Sequence, residues 1–371
     1  MRKGIGAIVA LLFYGCVQQE EGELRYKVMG QIQNPACQLH TGLYRNYYEG
    51  VNICLSGEAF KAELQKKIKD HRVLPYTKNS GSYPLHFTVE YISLENYSEQ
   101  VPERFDVWDA YVVFAYKGVN PHSSGGNCPP NRLLDWYDYR CYATPSQILS
   151  VSSGGQQDPG TADNLAAPTP LWGQEGVYNR EHSWPKDFFE ANSASGYCQS
   201  KPEITGNTNY YDYRAFTDLH HVIPARKSIN QTRGTCAFGI VQTEDSHFPR
   251  FSGAKFGSPN VAAMPGYFFN SIPGCSANKV LEPPPEVKGD IARNYFYMAT
   301  RYYQEDSCWK SNYQFDKANI QTWLENVLRQ WHKQDPVSAA EKLRNEWIYR
   351  IQGNRNPFVD FPEWVDKIDD F

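Results

Sequence analysis

Two short clusters in the middle of the chain contain the side chains best suited to chemistry. The first is N-R-E-H-S-W-P at residues 179–185, and the second is D-L-H-H-V-I-P-A-R-K-S-I-N-Q-T-R-G at residues 218–234. The first cluster supplies an adjacent carboxylate and imidazole, Glu181 and His182. A carboxylate suits a hard metal ion, and an imidazole titrates near neutral pH and can accept a proton from water. The clusters therefore predict a hydrolytic site that uses a metal ion.

The spacing of Glu181 and His182 restricts where such a site can lie. Neighbouring residues on a strand point to opposite faces, so the two can share a site only where the strand ends or bends. Pro185 favours such an end. A lone Glu-His pair is weak evidence, because a single histidine more often has no catalytic role. The second cluster strengthens the prediction, since it adds a further histidine, the amide of Asn230 and basic residues.

The elements around the clusters are predicted from apolar spacing and from breaker residues. Strands are expected around residues 177–184 and 214–223, with a short helix after Pro224. A helix capped by Ser56 is predicted over residues 56–70. These elements would hold the two clusters.

The C-terminal third is predicted to be helical. One helix face is marked by Ile291, Tyr295, Met298 and Tyr302, and another by Ile320, Trp323, Leu324, Val327, Leu328 and Trp331. A third helix opens at D-P-V-S-A-A-E, where Asp335 can cap and residues 338–341 have capping-box spacing, and it ends at Gly353. We interpret these aromatic faces as core packing.

Composition excludes several classes of protein. The chain has 371 residues, 41% of them hydrophobic, with 37 Lys+Arg against 41 Asp+Glu and a net charge of -4. This balance is typical of a folded protein and excludes one that is basic throughout. Residues 213–255 nevertheless hold six basic against three acidic side chains, a local excess suited to a polyanion.

The N-terminal segment is predicted to direct export. Residues 1–16 combine Arg2 and Lys3 with an apolar run that is too short for a transmembrane helix, which is typical of a signal peptide. Cys16 either carries a lipid, as in a lipoprotein, or lies in a plain secretory signal that is cleaved nearby. A linker over residues 17–39 and a catalytic domain over 40–366, with a loop-rich insertion at about 117–171, are predicted to follow.

Cysteine usage agrees with export. Eight cysteines remain after Cys16, which predicts up to four disulfides whose pairing the sequence leaves open. Structural zinc is disfavoured, because the chain has no C-x-x-C pair.

Several separated motifs resemble one family. The two clusters, the Asn-x-x-Arg-Gly of residues 230–234, the Phe-Gly of 238–239 and the blocks at 289–302 and 344–360 are similar to the bacterial endonuclease I family of exported nucleases. The resemblance implies an α+β fold in which a ββα-metal (His-Me finger) core is embedded in a mainly helical domain with long disulfide-pinned loops.

The resemblance also implies roles for individual residues. His182 would be the general base, and Glu181 and Asn230 would bind one Mg²⁺, with Mn²⁺ or Ca²⁺ as alternatives. Further residues would orient the site or bind nucleic acid: Asp218 and His220 for orientation, and Arg233, Arg226 and Lys227 for contacts with phosphate. In better-known members an arginine in an insertion assists the leaving group; here that insertion offers only Lys201, without a clear match.

The predicted activity is sequence-non-specific endonucleolytic cleavage of DNA, with RNA as a further substrate, to 5′-phosphate and 3′-hydroxyl ends. The expected location is secreted, periplasmic or lipid-anchored at the outer surface. Two other readings remain open. One is a catalytically inactive, aromatic-rich surface lipoprotein that binds carbohydrate or protein, and the other is a phosphodiesterase for small nucleotides.

Overall fold

The computed structural model describes residues 37, 44–72, 178–189, 213–246, 248, 254–307 and 309–371, and the backbone of short strands between residues 92 and 142. The predicted signal peptide, Cys16, Lys201 and most of the linker and of the insertion lie outside these residues. Within the described part, no helix combines the length and the apolar character needed to span a membrane.

Seven α-helices lie in the described residues. In chain order they are α1 (Gly57–Ile68), α2 (Tyr213–Phe216), α3 (Lys227–Arg233), α4 (Lys288–Arg301), α5 (Thr322–Gln334), α6 (Ala339–Gln352) and α7 (Pro357–Asp360). The predicted helices at 56–70 and in the C-terminal third are confirmed as α1, α4, α5 and α6. Ser56 occupies the N-cap position of α1, but its side chain makes no capping hydrogen bond.

The strands form small antiparallel sheets. They are β1 (Ile92–Leu94), β2 (Tyr97–Glu99), β3 (Leu133–Leu134), β4 (Cys141–Tyr142), β5 (Tyr178–His182), β6 (Val222–Arg226), β7 (Val241–Glu244), β8 (Lys255–Pro259), β9 (Val280–Glu282), β10 (Phe315–Asp316) and β11 (Asn319–Ile320). The pairs are β1–β2, β3–β4, β5–β6 and β10–β11, and one sheet has the order β7-β8-β9. The fold therefore mixes helices and strands, as expected for an α+β protein.

One strand–strand–helix unit carries both sequence clusters. In the β5–β6 pair, Glu181 lies opposite Ile223 and His182 lies opposite Val222. Helix α3 follows β6 directly and packs against both strands. The unit therefore brings residues 181–182 and 227–233 together, although they are distant in sequence.

The second predicted strand is partly wrong. Residues 213–216 form helix α2, residues 217–221 form a turn, and the strand begins only at Val222. The turn forms because Asp218 satisfies the local backbone: its Oδ1 accepts the His220 N–H at 3.1 Å, and its carbonyl accepts the His221 N–H at 3.3 Å. Asp218 and His220 therefore precede the strand instead of lying on it.

The core is centred on α4, which is buried along almost its whole length. Tyr295 is fully buried there, and its ring lies 5.4 Å from that of Trp184, which stacks on Phe315 at 3.8 Å. Trp184 belongs to the first cluster and lies two residues after His182. The end of β5 is thus fixed by aromatic packing against α4.

Helix α6 begins and ends as its sequence suggests. The Ser338 hydroxyl accepts the Glu341 N–H at 3.0 Å, and Gly353 ends the helix in the left-handed region with φ 92°. Asp335 does not cap this helix. It ends α5 instead, and its Oδ2 accepts the Gly289 N–H at 2.9 Å. Ser338 caps α6 instead of Asp335 because it directly precedes Ala339, the first residue of the helix.

Two of the predicted disulfides lie in the described residues. Cys37 pairs with Cys54 and Cys236 pairs with Cys275, with Cα–Cα distances of 5.0 and 4.9 Å. The second bridge ties the segment just after α3 to the segment before β9. The side chains of the other four cysteines after Cys16 lie outside the described residues.

Candidate functional site

The candidate site lies at the end of β5. The strand ends at His182, as the position of Pro185 predicted, and both Glu181 and His182 are buried, with 4% and 6% exposure. A carboxylate and an imidazole that are so little exposed need specific polar partners. Those partners define what each group can do.

The His182 ring is oriented by the turn before β6. Its Nε2 lies 2.8 Å from the carbonyl oxygen of Phe216, and its ring stacks on the Phe216 ring with 4.9 Å between centroids. A carbonyl oxygen can only accept a hydrogen bond, so Nε2 carries the proton. In the neutral ring, Nδ1 then carries the lone pair that a general base requires.

His221 links the turn before β6 to Ser183, the residue that follows His182. Its carbonyl oxygen accepts hydrogen bonds from both the backbone N–H and the hydroxyl of Ser183, at 3.0 and 2.9 Å. Its Nε2 donates to the carbonyl oxygen of Ala215 at 2.6 Å, and its ring centroid lies 5.4 Å from that of His182. Burial lowers the pKa of His221 to about 4, although Asp218 opposes this shift. The ring is therefore neutral at pH 7.

Arg233, the last residue of α3, is fully buried against β5. Its Nη1 donates to Glu181 Oε1 in an ion pair and to the His182 carbonyl oxygen at 3.2 Å. Its Nη2 donates to the Ser183 carbonyl oxygen at 2.8 Å. The predicted contact of Arg233 with phosphate stays untested, but this placement favours a different role.

The other predicted residues of the second cluster lie on or beside α3. Asn230 is the fourth residue of the helix and is half-buried. Arg226 is the last residue of β6 and Lys227 is the first of α3. Their backbone positions place them at the start of the helix that packs on β5. Binding of phosphate by Arg226 and Lys227 stays a prediction.

Asp218 is the centre of a buried hydrogen-bond network. Its Oδ1 accepts from Gln352 Nε2 at 2.8 Å and from the His220 N–H, and its Oδ2 accepts from the hydroxyls of Tyr297 and Tyr302 at 2.8 and 3.1 Å. The network joins the turn before β6 to α4 and to the end of α6. Because Phe216 lies two residues before Asp218, the network fixes the loop whose carbonyl oxygen holds His182.

The turn after α6 completes this network. Asn354 Nδ2 donates to the Tyr297 hydroxyl at 2.7 Å and to the Ile68 carbonyl oxygen at 2.8 Å. His220 Nε2 lies 3.2 Å from the Asn354 carbonyl oxygen. His220 and Asn354 are thus connected to the site through Asp218 and not by direct contact with Glu181 or His182. Their role in orienting the site stays a prediction.

The charges in the network follow from burial. Burial lowers the pKa of His220 to about 3 and that of His71 to about 4, although Asp218 favours protonation of both. Burial alone would raise the pKa of Asp218, but the nearby histidines and the Gln352 hydrogen bond hold it well below its usual range. The network therefore contains one carboxylate and neutral imidazoles at pH 7.

The Endonuclease I family model matches residues 134–363, more than half of the chain, and includes every residue described above for the site except His71 and Ile68. The chain belongs to the endonuclease I family.

Three relatives illustrate the range of this family. The chain is 32% identical over 240 residues to an extracellular ribonuclease of Bacillus amyloliquefaciens, covering 60% of the chain and 67% of the relative. It is 29% identical over 151 residues to endonuclease-1 of Buchnera aphidicola subsp. Baizongia pistaciae (40% and 49%) and 25% identical over 143 residues to a periplasmic deoxyribonuclease of Aeromonas hydrophila (38% and 47%). The chain thus spans between about half and two thirds of these relatives.

Two oxygen donors in this endonuclease I family member are of the kind that a hard divalent cation prefers. Glu181 offers a carboxylate and Asn230 an amide oxygen, and Mg²⁺ binds through few protein ligands while it keeps several waters. Among the described residues, no group of three or more His, Cys, Asp and Glu side chains could hold a metal ion. This donor set is unlike a zinc site, which uses His and Cys ligands.

The sequence analysis missed the tyrosines that support the site, because it assigned the helix face with Tyr295 and Tyr302 to core packing and did not single out Tyr297. The Tyr295 hydroxyl donates to the Ser183 carbonyl oxygen at 2.8 Å, and Tyr297 and Tyr302 donate to Asp218. A signal was present: a tyrosine on a fully buried helix face needs a partner for its hydroxyl, whereas a phenylalanine does not.

Proposed function

We propose that this chain is an exported, metal-dependent endonuclease that hydrolyses phosphodiester bonds in DNA and RNA without sequence specificity. The observation that carries the proposal is the His182 ring, which directly follows Glu181 at the end of β5 and whose Nε2–H donates to the Phe216 carbonyl oxygen. We further propose that β5, β6 and α3 form a ββα-metal core. Membership of the endonuclease I family and the extracellular and periplasmic nucleases among its relatives support the proposed activity, and the order of β5, β6 and α3 supports the proposed core.

In this mechanism His182 accepts a proton from water at Nδ1, while the Phe216 carbonyl oxygen holds the ring and stabilises the positive charge that develops. Glu181 and Asn230 would hold the divalent cation. When bound, the cation supplies electrostatic stabilisation of the charge that builds up on the phosphate and on the leaving 3′ oxygen. The products would be 5′-phosphate and 3′-hydroxyl ends.

The substrate would be bound through its backbone. Arg226 and Lys227 would contact phosphates. Residues 213–255 hold six basic against three acidic side chains, and basic residues remain in excess when Arg233, which is ion-paired with Glu181, is left out. Phosphate contacts position a nucleic acid but carry no sequence information. Cleavage should therefore occur at many sites.

A substrate comparison tests the proposed activity. Supercoiled plasmid, single-stranded RNA and a small phosphodiester such as bis(p-nitrophenyl) phosphate are each incubated with the protein and Mg²⁺, and the ends of the products are analysed. We expect internal cleavage of plasmid and RNA with 5′-phosphate ends. Turnover of the small ester alone would indicate a nucleotide phosphodiesterase, and no turnover of any substrate would support the non-catalytic alternative.

Glu181→Ala and Asn230→Ala should each weaken the use of metal and not proton transfer. Since Mg²⁺ has few protein ligands, losing one removes a large share of its attachment. We expect low activity that raised Mg²⁺ partly restores, with a smaller loss for Asn230→Ala because a neutral amide attracts a cation less strongly than a carboxylate does. The measurement is the initial rate of plasmid nicking against Mg²⁺ concentration. Full activity of Asn230→Ala at low Mg²⁺ would exclude the amide as a ligand.

A further inference from the structure

We propose that Arg233 is a positioning residue, which fixes the Glu181 carboxylate and the end of β5 relative to the helix that carries Asn230. The inference rests on the proposed function of Glu181 and Asn230 as ligands of a divalent cation. It replaces the contact with phosphate that the sequence suggested for Arg233.

The donors of Arg233 are directed at three consecutive residues of one segment. Nη1 donates to Glu181 Oε1 and to the His182 carbonyl oxygen, and Nη2 donates to the Ser183 carbonyl oxygen. A guanidinium has five N–H donors in a rigid plane, so several simultaneous bonds fix both its position and its partners. The Arg233 side chain therefore holds the backbone at the end of β5 and the Glu181 carboxylate in fixed positions.

Further contacts hold the guanidinium itself. Its Nε donates to the Cys236 carbonyl oxygen at 3.2 Å, and its Nη2 lies 3.4 Å from the Tyr295 hydroxyl. The guanidinium carbon lies 4.1 Å from the centroid of the Phe238 ring, which covers its face. Arg233 has 0% exposure, whereas a group that binds the phosphates of a large polymer must reach the surface.

The helix end that carries Arg233 is also fixed. Asn230 and Arg233 are three residues apart and share one side of α3, and the Asn230 carbonyl oxygen accepts the Gly234 N–H at 2.9 Å. Gly234 has φ 54°, and an added Cβ would lie 2.4 Å from the Gly274 carbonyl oxygen, so only glycine fits there. The Gly234 turn therefore fixes the end of the helix that carries Asn230, and the Arg233 guanidinium joins this helix end to Glu181.

The charge of the pair favours this role. Arg233 balances Glu181 inside the protein, so a cation bound by Glu181 and the neutral Asn230 would retain most of its charge for the phosphate. Residues that hydrogen-bond a metal ligand orient it, and their loss commonly weakens metal affinity or activity by about 10–100-fold. Substitution of Arg233 should therefore weaken metal binding directly, and nucleic-acid binding only as a consequence of the weaker metal binding.

The test compares Arg233→Lys with a matched control, Arg293→Lys. Arg293 is also fully buried and ion-paired, with Glu341 and Asp290, but it does not contact Glu181 or His182. Lysine keeps the charge at both positions and loses the planar fork. Three quantities are measured for each folded variant: the Mg²⁺ dissociation constant by calorimetry without nucleic acid, the thermal midpoint without metal, and KM for duplex DNA at saturating Mg²⁺.

We expect Arg233→Lys to weaken Mg²⁺ binding by about 10–100-fold. Arg293→Lys should leave it within about twofold of the wild type, although both variants lower the thermal midpoint. An unchanged Mg²⁺ dissociation constant in folded Arg233→Lys would overturn the inference. A raised KM for DNA with unchanged Mg²⁺ binding would also overturn it, in favour of a direct contact with phosphate.

Two further outcomes would also decide whether the inference about Arg233 holds. If Arg233→Lys does not fold, Phe238→Leu removes the ring that covers the guanidinium and should weaken Mg²⁺ binding in the same direction by a smaller factor. An unchanged constant in that variant overturns the inference. If the wild type itself binds no Mg²⁺ and cleaves no DNA, the proposed function fails, and this inference fails with it.

Discussion

His182→Ala is expected to lower the turnover number for plasmid cleavage by about 10²–10⁴-fold, which is the usual contribution of a positioned general base. The substitution removes the ring whose Nε2–H donates to the Phe216 carbonyl oxygen, but it leaves Glu181 and Asn230 in place. Mg²⁺ binding should therefore persist, and added Mg²⁺ should not restore activity, because a metal ion cannot replace a base. Initial rates over a range of Mg²⁺ concentrations provide the measurement.

His332→Ala is the matched control. His332 Nε2 also lies within hydrogen-bond distance of a backbone carbonyl oxygen, that of Pro362 at 3.1 Å, but it lies on α5 away from the β5–β6 pair. We expect this variant to keep wild-type turnover. If His182→Ala retained activity within tenfold of the wild type, another group would have to be the base.

Asp218→Ala is expected to reduce the free energy of unfolding by about 3–5 kcal/mol, because each buried donor left without an acceptor costs about 1–3 kcal/mol and the variant leaves several. The alanine would leave the Gln352, Tyr297 and Tyr302 donors and the His220 N–H without their acceptor. Turnover should also fall, because the same turn positions the Phe216 carbonyl oxygen that holds His182.

Denaturant unfolding measures this loss, with Asp366→Ala as the control. The Asp366 side chain is 68% exposed and lies 3.8 Å from Lys333, so its removal should change stability by no more than about 0.5 kcal/mol. A loss below about 1 kcal/mol for Asp218→Ala would mean that the network relaxes around the missing carboxylate, and Asp218 would not hold the turn.

The sequence predicted the elements that have strong local signals. The apolar spacing of α4 and α5 and the Ser338 cap of α6 depend on residues within a few positions of one another, and the structure confirms them. An end of β5 close to Pro185 was also predicted, although the strand stops at His182, two residues before the predicted boundary at residue 184. The turn at residues 217–221 was not predicted, because it depends on hydrogen bonds that Asp218 makes with the backbone and that the strand prediction over residues 214–223 did not take into account.

The contacts of the site depend on partners that are distant in sequence. Arg233 meets Glu181 across 52 positions, and Asp218 meets Gln352 across 134. An arginine near a helix end can equally contact solvent, phosphate or a carboxylate, and only the packing of α3 on β5 selects among them. The two clusters could therefore be recognised from sequence, whereas the role of each charge within them required the fold.

The central claim is that the site is a metal-dependent endonuclease, and nicking of supercoiled plasmid with Mg²⁺ or with excess EDTA tests it most directly. The account predicts conversion to nicked and linear DNA with Mg²⁺ and no conversion with EDTA, with activity restored when Mg²⁺ is added back. Equal cleavage in EDTA, or no cleavage by the folded protein with Mg²⁺, would contradict it.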